Sequence, residues 1–452
     1  MLSLKRQVAE GVFYFSSGSV TVTLLHFLSS VLLIRSLGLF EYGLFVLALS
    51  FYTILASFLD LGIGGVVLSD ASGAMSEGNY TKAKNLLKSY ILFELFIGIT
   101  LFFLTAGTSF LIKGLYGEVV QRLLLITAFY LFTTALQNAV SNIFYSMSKF
   151  RIYNILLATE ALARFSLILV FISILEKGII FAMLVYLIAQ MLGILITLPN
   201  LFNIRKQFET YPHSKEPFFR NMLKTHGKWV LFSLPLKRIG SQAHYWITEY
   251  FLGVNAVAFL GVAIRGTDVL KVFPQSFERV LMPIASGVIK SWKRTEFLIN
   301  KTIKYNFWNS ILVATIAIIF SPLLIKIVFS GKYIDVVPAF RILLLILIPI
   351  SLLVLKPIFY ALKIQKYLFY SDSISVILII IFDTVFIWLF GLIGVCISMV
   401  LISFILFSMR YTFIKKFKPD FEIRIRNIFE IDDFDKKQLR IVLNKLKEKI
   451  HI

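Results

Sequence analysis

The sequence predicts an all-α polytopic membrane protein of about twelve transmembrane helices, arranged as two six-helix lobes. Three observations predict this. Of 452 residues, 58% are hydrophobic and only 16% are charged, against about 25% charged in a soluble domain. Apolar runs of about 20 residues, the length that crosses a bilayer as a helix, follow one another almost from end to end. The lysines and arginines between those runs fall on alternate connections, as the bias of short cytoplasmic loops requires.

The first run, 12–34, is too long for a signal-peptide core and lacks a small-residue cleavage site after it, so it reads as a retained span. Spans follow at 43–68, 88–112, 123–147, 152–175 and 178–201. A polar connection, "NIRKQFETYPHSKEPFFRNMLKTHGK", comes next. Spans resume at 229–251, 255–288, 305–329, 336–362, 367–389 and 391–414. The segment 255–288 is too long for one simple span, which predicts tilt, a cytoplasmic extension and a kink near Pro274. The expected organisation is an N-terminal lobe (1–201), a cytoplasmic linker (202–228), a C-terminal lobe (229–415) and a basic cytoplasmic tail (416–452). In the tail, Leu439, Val442, Leu443, Leu446 and Ile450 follow helical spacing, so an amphipathic helix is expected, either solvated or lying on anionic headgroups.

Placing Lys5 and Arg6 in the cytoplasm also puts there the clusters Lys82–Lys84–Lys88, Lys149–Arg151, Arg205 to Lys228, Lys290 to Lys304 and Lys363–Lys366. The opposite side carries single charges such as Lys113, Arg122, Lys177 and Lys332. Both termini are therefore expected inside, at the plasma membrane. Within this topology "SLGLFEYGLFVLA" and "FLGVNAVAFLGVA" occupy equivalent places, the outer turn between the first two helices of each half. An even number of helices per half makes the two repeats parallel.

Several functions are excluded by what the residues do not offer. The single Cys396 forms no intrachain disulfide. No zinc spacing, P-loop or dinucleotide fingerprint occurs, so neither a cofactor nor a metal is expected. A net charge of +21 in a soluble chain would suggest nucleic acid. Here the positive-inside bias accounts for it, and no nucleic-acid partner is expected.

Charges and polar stripes inside the spans are the candidate functional residues, because lipid does not tolerate them. In the first span Ser16, Ser19, Thr23, His26 and Ser30 share one helical face; in the seventh, Lys237, Ser241, His244 and Thr248 do. In the eighth, Arg265, Asp268, Lys271, Gln275 and Arg279 occupy about a third of the circumference. The stripes point to a wet, mainly cationic cavity with Thr23, His26, Lys237, His244, Arg265, Asp268 and Lys271 as its candidate lining. Rival readings stand beside this one. Serine and threonine stripes also serve close helix packing, Arg279 and Lys271 can snorkel, and Asp268 can neutralise Arg265 one turn away. Asp60 and Asp268 are the candidates for ion coupling, although "DLGIGG" around Asp60 also reads as a helix end. Glu94, Glu160, Arg164, Lys356 and Asp383 are embedded too, on faces that periodicity does not assign.

The stretches "LLIRSLGLFEYGLFVLALSF", "FLDLGIGG" and "YTKAKNLL", and in the second half "YFLGVNAVAFLGVAIRGTDVLKVFPQSFERVLMPIAS", carry a resemblance. Over most of residues 10–415 the chain resembles the Wzx-type flippases, polysaccharide exporters of the multidrug/oligosaccharidyl-lipid/polysaccharide (MOP) superfamily. The resemblance implies a V-shaped, MATE/MOP-like pair of lobes working by alternating access. It also implies a polyprenyl-(pyro)phosphate-linked oligosaccharide as cargo, with membrane lipids and glycan-assembly enzymes as partners. An anionic cargo suits a cationic cavity, and no covalent chemistry is called for, so the chain is not expected to be an enzyme. A drug extruder of the same fold calls for an acidic, aromatic cavity instead. A membrane glycan polymerase or ligase calls for a sizeable external loop, and the outer connections here are short.

Overall fold

A computed structural model describes residues 4–61, 63–212, 218–288, 292–362, 364, 366–423, 428–430, 432 and 435. Among these residues no strand occurs. The chain opens with α1 (Leu4–Ser36), α2 (Leu39–Asp60) and α3 (Ile63–Ser76). Next come α4 (Tyr80–Ser146), α5 (Phe150–Leu167), α6 (Ile179–Glu209), α7 (Phe218–Leu252), α8 (Val254–Val288) and α9 (Trp292–Ile319). The remainder is α10 (Ser321–Leu324), α11 (Val337–Leu344), α12 (Leu347–Leu352), α13 (Lys356–Ala361), α14 (Lys366–Phe390) and α15 (Leu392–Phe417). Nine helical stretches among the described residues are long and apolar enough to cross a membrane. The other three expected spans coincide with α1, α7 and α8, which are 33, 35 and 35 residues long.

Helix ends follow local chemistry. Between α1 and α2 the Leu37 amide still bonds to Leu33 O at 3.0 Å, and the Gly38 amide donates to the Glu41 carboxylate at 3.3 Å. The equivalent break after α7 is Gly253, at φ +80°. That left-handed conformation is strained for any residue with a Cβ; Gly38, the matching glycine of the first half, is extended at φ −61°. α2 ends where "DLGIGG" predicts, with Leu61 left-handed at φ 45°.

The spans expected at 88–112 and 123–147 are the two arms of α4, which part at Gly117 (φ 82°, ψ 177°) and give separate membrane-length stretches at Tyr80–Leu111 and Gly117–Ser146. The structure departs from the expected spans in two places. The second expected span is broken at Leu61 and continues as α3. Residues 325–362 are not one helix but a π-helical stretch (Ile325–Phe329), a 3-10 turn (Gly331–Val336) and three short helices. α8, by contrast, continues through Pro274 as a single helical segment.

The described residues cluster into two compact units. The first comprises Met1–Gly266, Ser321–Phe340 and Asp372–Ser398. Its buried core includes Val67, Leu86, Tyr90, Phe144, Leu156 and Ile204. α2 and α8 approach so closely that a Cβ on Gly43 would lie 2.2 Å from Val254 O. Within the same unit Lys332 Nζ donates to the carbonyls of Arg35 (3.0 Å) and Leu37 (2.5 Å), capping the end of α1. Arg35 in return donates to Ile327 O at 3.1 Å.

The second unit comprises Thr267–Phe320, Arg341–Ser371 and Met399–Ile452. Its core gathers Ile299, Ile303, Leu355, Phe359, Ile414 and Phe421. The last helix ends at Phe417, and Phe421 beyond it is fully buried. The chain beyond α15 runs along α9 as a strap. Glu296 accepts the Glu422 amide, Asn300 donates to Glu422 O, and Trp308 donates to Ile428 O. Asp435 receives Lys301 (2.8 Å), Lys304 (2.5 Å) and Tyr305 (2.5 Å). Residues 296, 300, 304 and 308 recur every fourth position, one face of α9. The expected amphipathic helix at 439–450 lies outside the described residues.

Large apolar side chains point away from both cores: Phe96 is 70% exposed, Phe103 67% and Trp388 79%. Soluble monomers rarely present apolar surface on that scale, and lipid is the solvent that accepts it. The protein is a multi-pass membrane protein.

Candidate functional site

Two polar constellations are buried in the first unit, and they separate the sequence candidates. The larger is centred on α5. Its Glu160 and Arg164, four residues apart, share the face that also buries Leu156 and Ala161. Arg164 Nη2 donates to Glu160 Oε1. The other carboxylate oxygen accepts from Gln137 Nε2 at 2.5 Å. Gln137 in turn accepts from Gln190 at 2.6 Å, and Gln190 Oε1 accepts from Thr133 at 2.5 Å. Tyr52 meets Thr134 at 2.8 Å and stacks on Tyr130 with ring centroids 4.2 Å apart. α6 is drawn against α5 at this level by Gly193, where a Cβ would lie 2.8 Å from Leu156 O and 3.3 Å from Glu160 Cβ.

Arg164 reaches out of this network toward α1. Its Nη1 lies 3.2 Å from His26 Nδ1, and its guanidinium carbon sits 4.2 Å over the Tyr186 ring. Arginine can only donate, so Nδ1 accepts and the imidazole proton is on Nε2. Arg265 completes the group from α8. It hydrogen-bonds the Tyr42 hydroxyl and, with Arg164, acts electrostatically on His26. His26 and Arg265, read from separate helical stripes, are thus brought to one place. Thr23 lies one turn before His26 and is exposed, as is Lys237 on α7.

His244 does not join them. It is 5% exposed and its Nδ1 lies 2.5 Å from Asp383 Oδ2 on α14. Ser398 Oγ donates to the other carboxylate oxygen at 2.5 Å. The α7 stripe therefore divides: Lys237 and Ser241 are exposed, whereas His244 and Thr248 are buried. Asp268 and Lys271 belong to the second unit and pair with each other at 2.9 Å. Asp268 thus has a lysine one turn away as its partner. Asp60 closes α2, and its side chain, like that of Arg279, lies outside the described residues.

Sequence reasoning left Glu160 and Arg164 unassigned, although opposite charges at i,i+4 were a signal that they share a face. Nothing local marks Gln137, Gln190 or Tyr52, whose partners lie more than twenty positions away. Chemically the cluster presents cationic donors (two guanidinium groups) and an imidazole N–H, a set suited to an oxyanion. Among the described residues no group of three or more His, Cys, Asp or Glu is placed to hold a metal ion.

Comparison with known proteins agrees with this architecture. An uncharacterized membrane protein of Methanocaldococcus jannaschii is 24% identical, with 92% of this chain and 85% of that protein covered. A multidrug resistance MATE family transporter of the MOP superfamily, solved inward-facing, matches with a TM-score of 0.75 at 17% identity, over 88% of this chain and 96% of that one. The lipid II flippase MurJ, in an inward closed conformation, matches with a TM-score of 0.69 at 17% identity, over 92% and 88%. A MOP superfamily transporter from Pyrococcus furiosus, described as having a binding pocket of reverse polarity, gives 0.62 at 16% identity, over 90% and 94%. Residues 8–288, more than half of the sequence, match the family described as polysaccharide biosynthesis protein. The chain belongs to that polysaccharide biosynthesis family and has the fold of the MOP superfamily.

Proposed function

We propose that the protein is a flippase that carries a polyprenyl-(pyro)phosphate-linked oligosaccharide from the cytoplasmic to the outer leaflet by alternating access. The observation that carries the reading is the convergence of Arg265, Arg164 and His26 inside a bundle of a polysaccharide-biosynthesis chain. Guanidinium groups grip phosphate oxygens in pairs, and a prenyl tail can stay in lipid while its headgroup is held. On this reading the N-terminal half (1–201) and the C-terminal half (229–415) are the moving lobes. Both termini face the cytoplasm, and Lys237 and Thr23 line the entry route. Glycan-assembly enzymes supply the cargo on the cytoplasmic side.

The test is translocation of a fluorescent lipid-linked oligosaccharide in reconstituted vesicles. A charge-assisted contact contributes about 1.5–3 kcal/mol, so Arg265→Ala should weaken cargo binding roughly ten- to a hundredfold while the protein still folds. Arg265→Lys should recover part of the loss. Wild-type translocation by Arg265→Ala would remove the physical support for the cargo.

A further inference from the structure

The strap places one carboxylate in a set of donors built entirely on α9. Lys301, Lys304 and Tyr305 stand at i, i+3 and i+4, on one face of that helix. Lys301 and Tyr305 donate to Asp435 Oδ1 at 2.8 and 2.5 Å, and Lys304 donates to Oδ2 at 2.5 Å. The Asp432 amide adds a further donor to Oδ2 at 3.1 Å. Two ammonium groups and a phenol converging on one group are a donor set that suits a phosphate; here a side chain of the same protein fills it. Beyond the lysines the same stripe of α9 turns apolar and uncovered: Trp308, Leu312 and Ile316 are exposed, Leu312 by 60%. At 1.5 Å per residue, Lys304 to Ile316 spans about 18 Å, close to half of a hydrocarbon core of about 30 Å. The strap also covers the start of this stripe. Phe429, 58% exposed, packs edge-on against Phe307 and Trp308 with ring centroids 6.1 and 5.7 Å away. Trp308 Nε1 donates to Ile428 O at 2.8 Å.

We infer that the Lys301–Lys304–Tyr305 face of α9 is a binding site for a membrane lipid with a phosphomonoester headgroup, and that the strap occupies this site as an internal competitor. Asp435 stands where the phosphate would be held, and Phe429 stands where the first part of an acyl chain would lie. The occupant is a lipid rather than a soluble phosphate, because the cationic donors lead directly into a lipid-facing stripe of leaflet length. Basic pockets beside spans take anionic headgroups in this way. Release of the strap and uptake of the lipid are linked. When the strap lifts, Lys304, its side chain 8% exposed, loses its counter-charge, and binding of another anion removes that defect. The strap is suited to lifting. Its contacts with α9 are separate side-chain hydrogen bonds, ion pairs and ring contacts rather than a continuous ladder, and such segments open locally at low cost. None of these groups belongs to the Arg164–His26–Arg265 cluster, so the site is independent of the cargo.

The experiment places the full chain in nanodiscs of phosphatidylcholine with and without phosphatidate. Hydrogen exchange at 428–435 reads the strap, and native mass spectrometry counts retained phosphatidate. Phosphatidate should speed strap exchange about tenfold once it stands at ten times its dissociation constant. Phosphatidylglycerol, a singly charged phosphodiester, should do less. Asp435→Asn, which frees the site and keeps every cation, should retain more phosphatidate than the unaltered chain. Lys301→Gln/Lys304→Gln should retain less. If the double variant fails to fold, Asp435→Asn decides. Unchanged phosphatidate retention in Asp435→Asn, or strap exchange no faster with phosphatidate than in phosphatidylcholine alone, makes the cluster a purely structural clasp and ends the proposal. Inorganic phosphate added to phosphatidylcholine discs should leave the strap closed, and opening equal to that with phosphatidate would overturn the assignment to a lipid.

Discussion

Replacing Asp435 by asparagine tests whether the strap along α9 is held by its ionic cluster. The Asp435 side chain is 6% exposed and accepts Lys301, Lys304 and Tyr305; the Lys304 side chain is itself only 8% exposed. Burial alone would raise the Asp435 carboxyl, but these three donors and the Asp432 backbone amide outweigh it and hold the group well below the ordinary carboxylate range. Asp435→Asn leaves Lys304 buried without its counter-charge, a defect of about 3–5 kcal/mol. At 1.4 kcal/mol per factor of ten, the open population of the strap rises by roughly two to nearly four orders of magnitude, until the strap is fully released. Hydrogen exchange of amides at 428–435 reads this directly. Asp432→Asn is the control: its carboxylate is 52% exposed, pairs with Lys301 at 2.6 Å and accepts the Asp435 amide at 3.0 Å, a bond the asparagine carbonyl keeps, so its effect should be about 0.2–1 kcal/mol. The pH dependence has a definite sign. A carboxyl depressed by folding stabilises above its unfolded value, about 3.9, and loses that contribution as pH falls below it. Protection of the strap should therefore hold through neutral pH and fade only in stronger acid, and Asp435→Asn should abolish that component. Exchange in Asp435→Asn within threefold of the unaltered chain, or a larger effect from Asp432→Asn, would refute the reasoning.

Other consequences are equally direct. Gly193→Ala forces a Cβ to 2.8 Å from Leu156 O, so α5 must shift at Glu160. About 1–3 kcal/mol of destabilisation is expected, by thermal melting. Lys332→Met removes both bonds that cap α1 at Arg35 and Leu37, and exchange at the α1 end should rise as about 1.5–3 kcal/mol of charged hydrogen bonding is lost. Asp383→Asn or His244→Leu alone breaks a buried pair at 2.5 Å. The double variant His244→Leu/Asp383→Leu should melt higher than Asp383→Leu, and a double variant as unstable as the worse single would contradict the pairing. For topology, a reporter after Lys228 or at the C-terminus should read cytoplasmic and one at Gly253 external; an external signal from the linker overturns the parallel repeat.

The class of this protein and most of its helix boundaries were determined by sequence alone, because both rest on one-dimensional quantities. Apolar run length, the Leu37–Gly38 and Gly253 breaks, and the alternation of lysine and arginine all act locally along the chain. Helical phase likewise placed His26 on one polar stripe and Arg265 on another. Tertiary structure decided which stripes meet. His26 and Arg265 face a common centre, whereas His244, on an equally regular stripe, is buried against Asp383, 139 positions away. It also decided that Glu160 and Arg164 look inward, since their face is fixed by Gly193 and Gln190 of another helix. The strap was illegible for the same reason. A tail rich in charge reads as solvated until Lys301, Lys304 and Tyr305 of α9 are seen to surround Asp435, and whether a charge is exposed or paired depends on neighbours that sequence distance does not reveal.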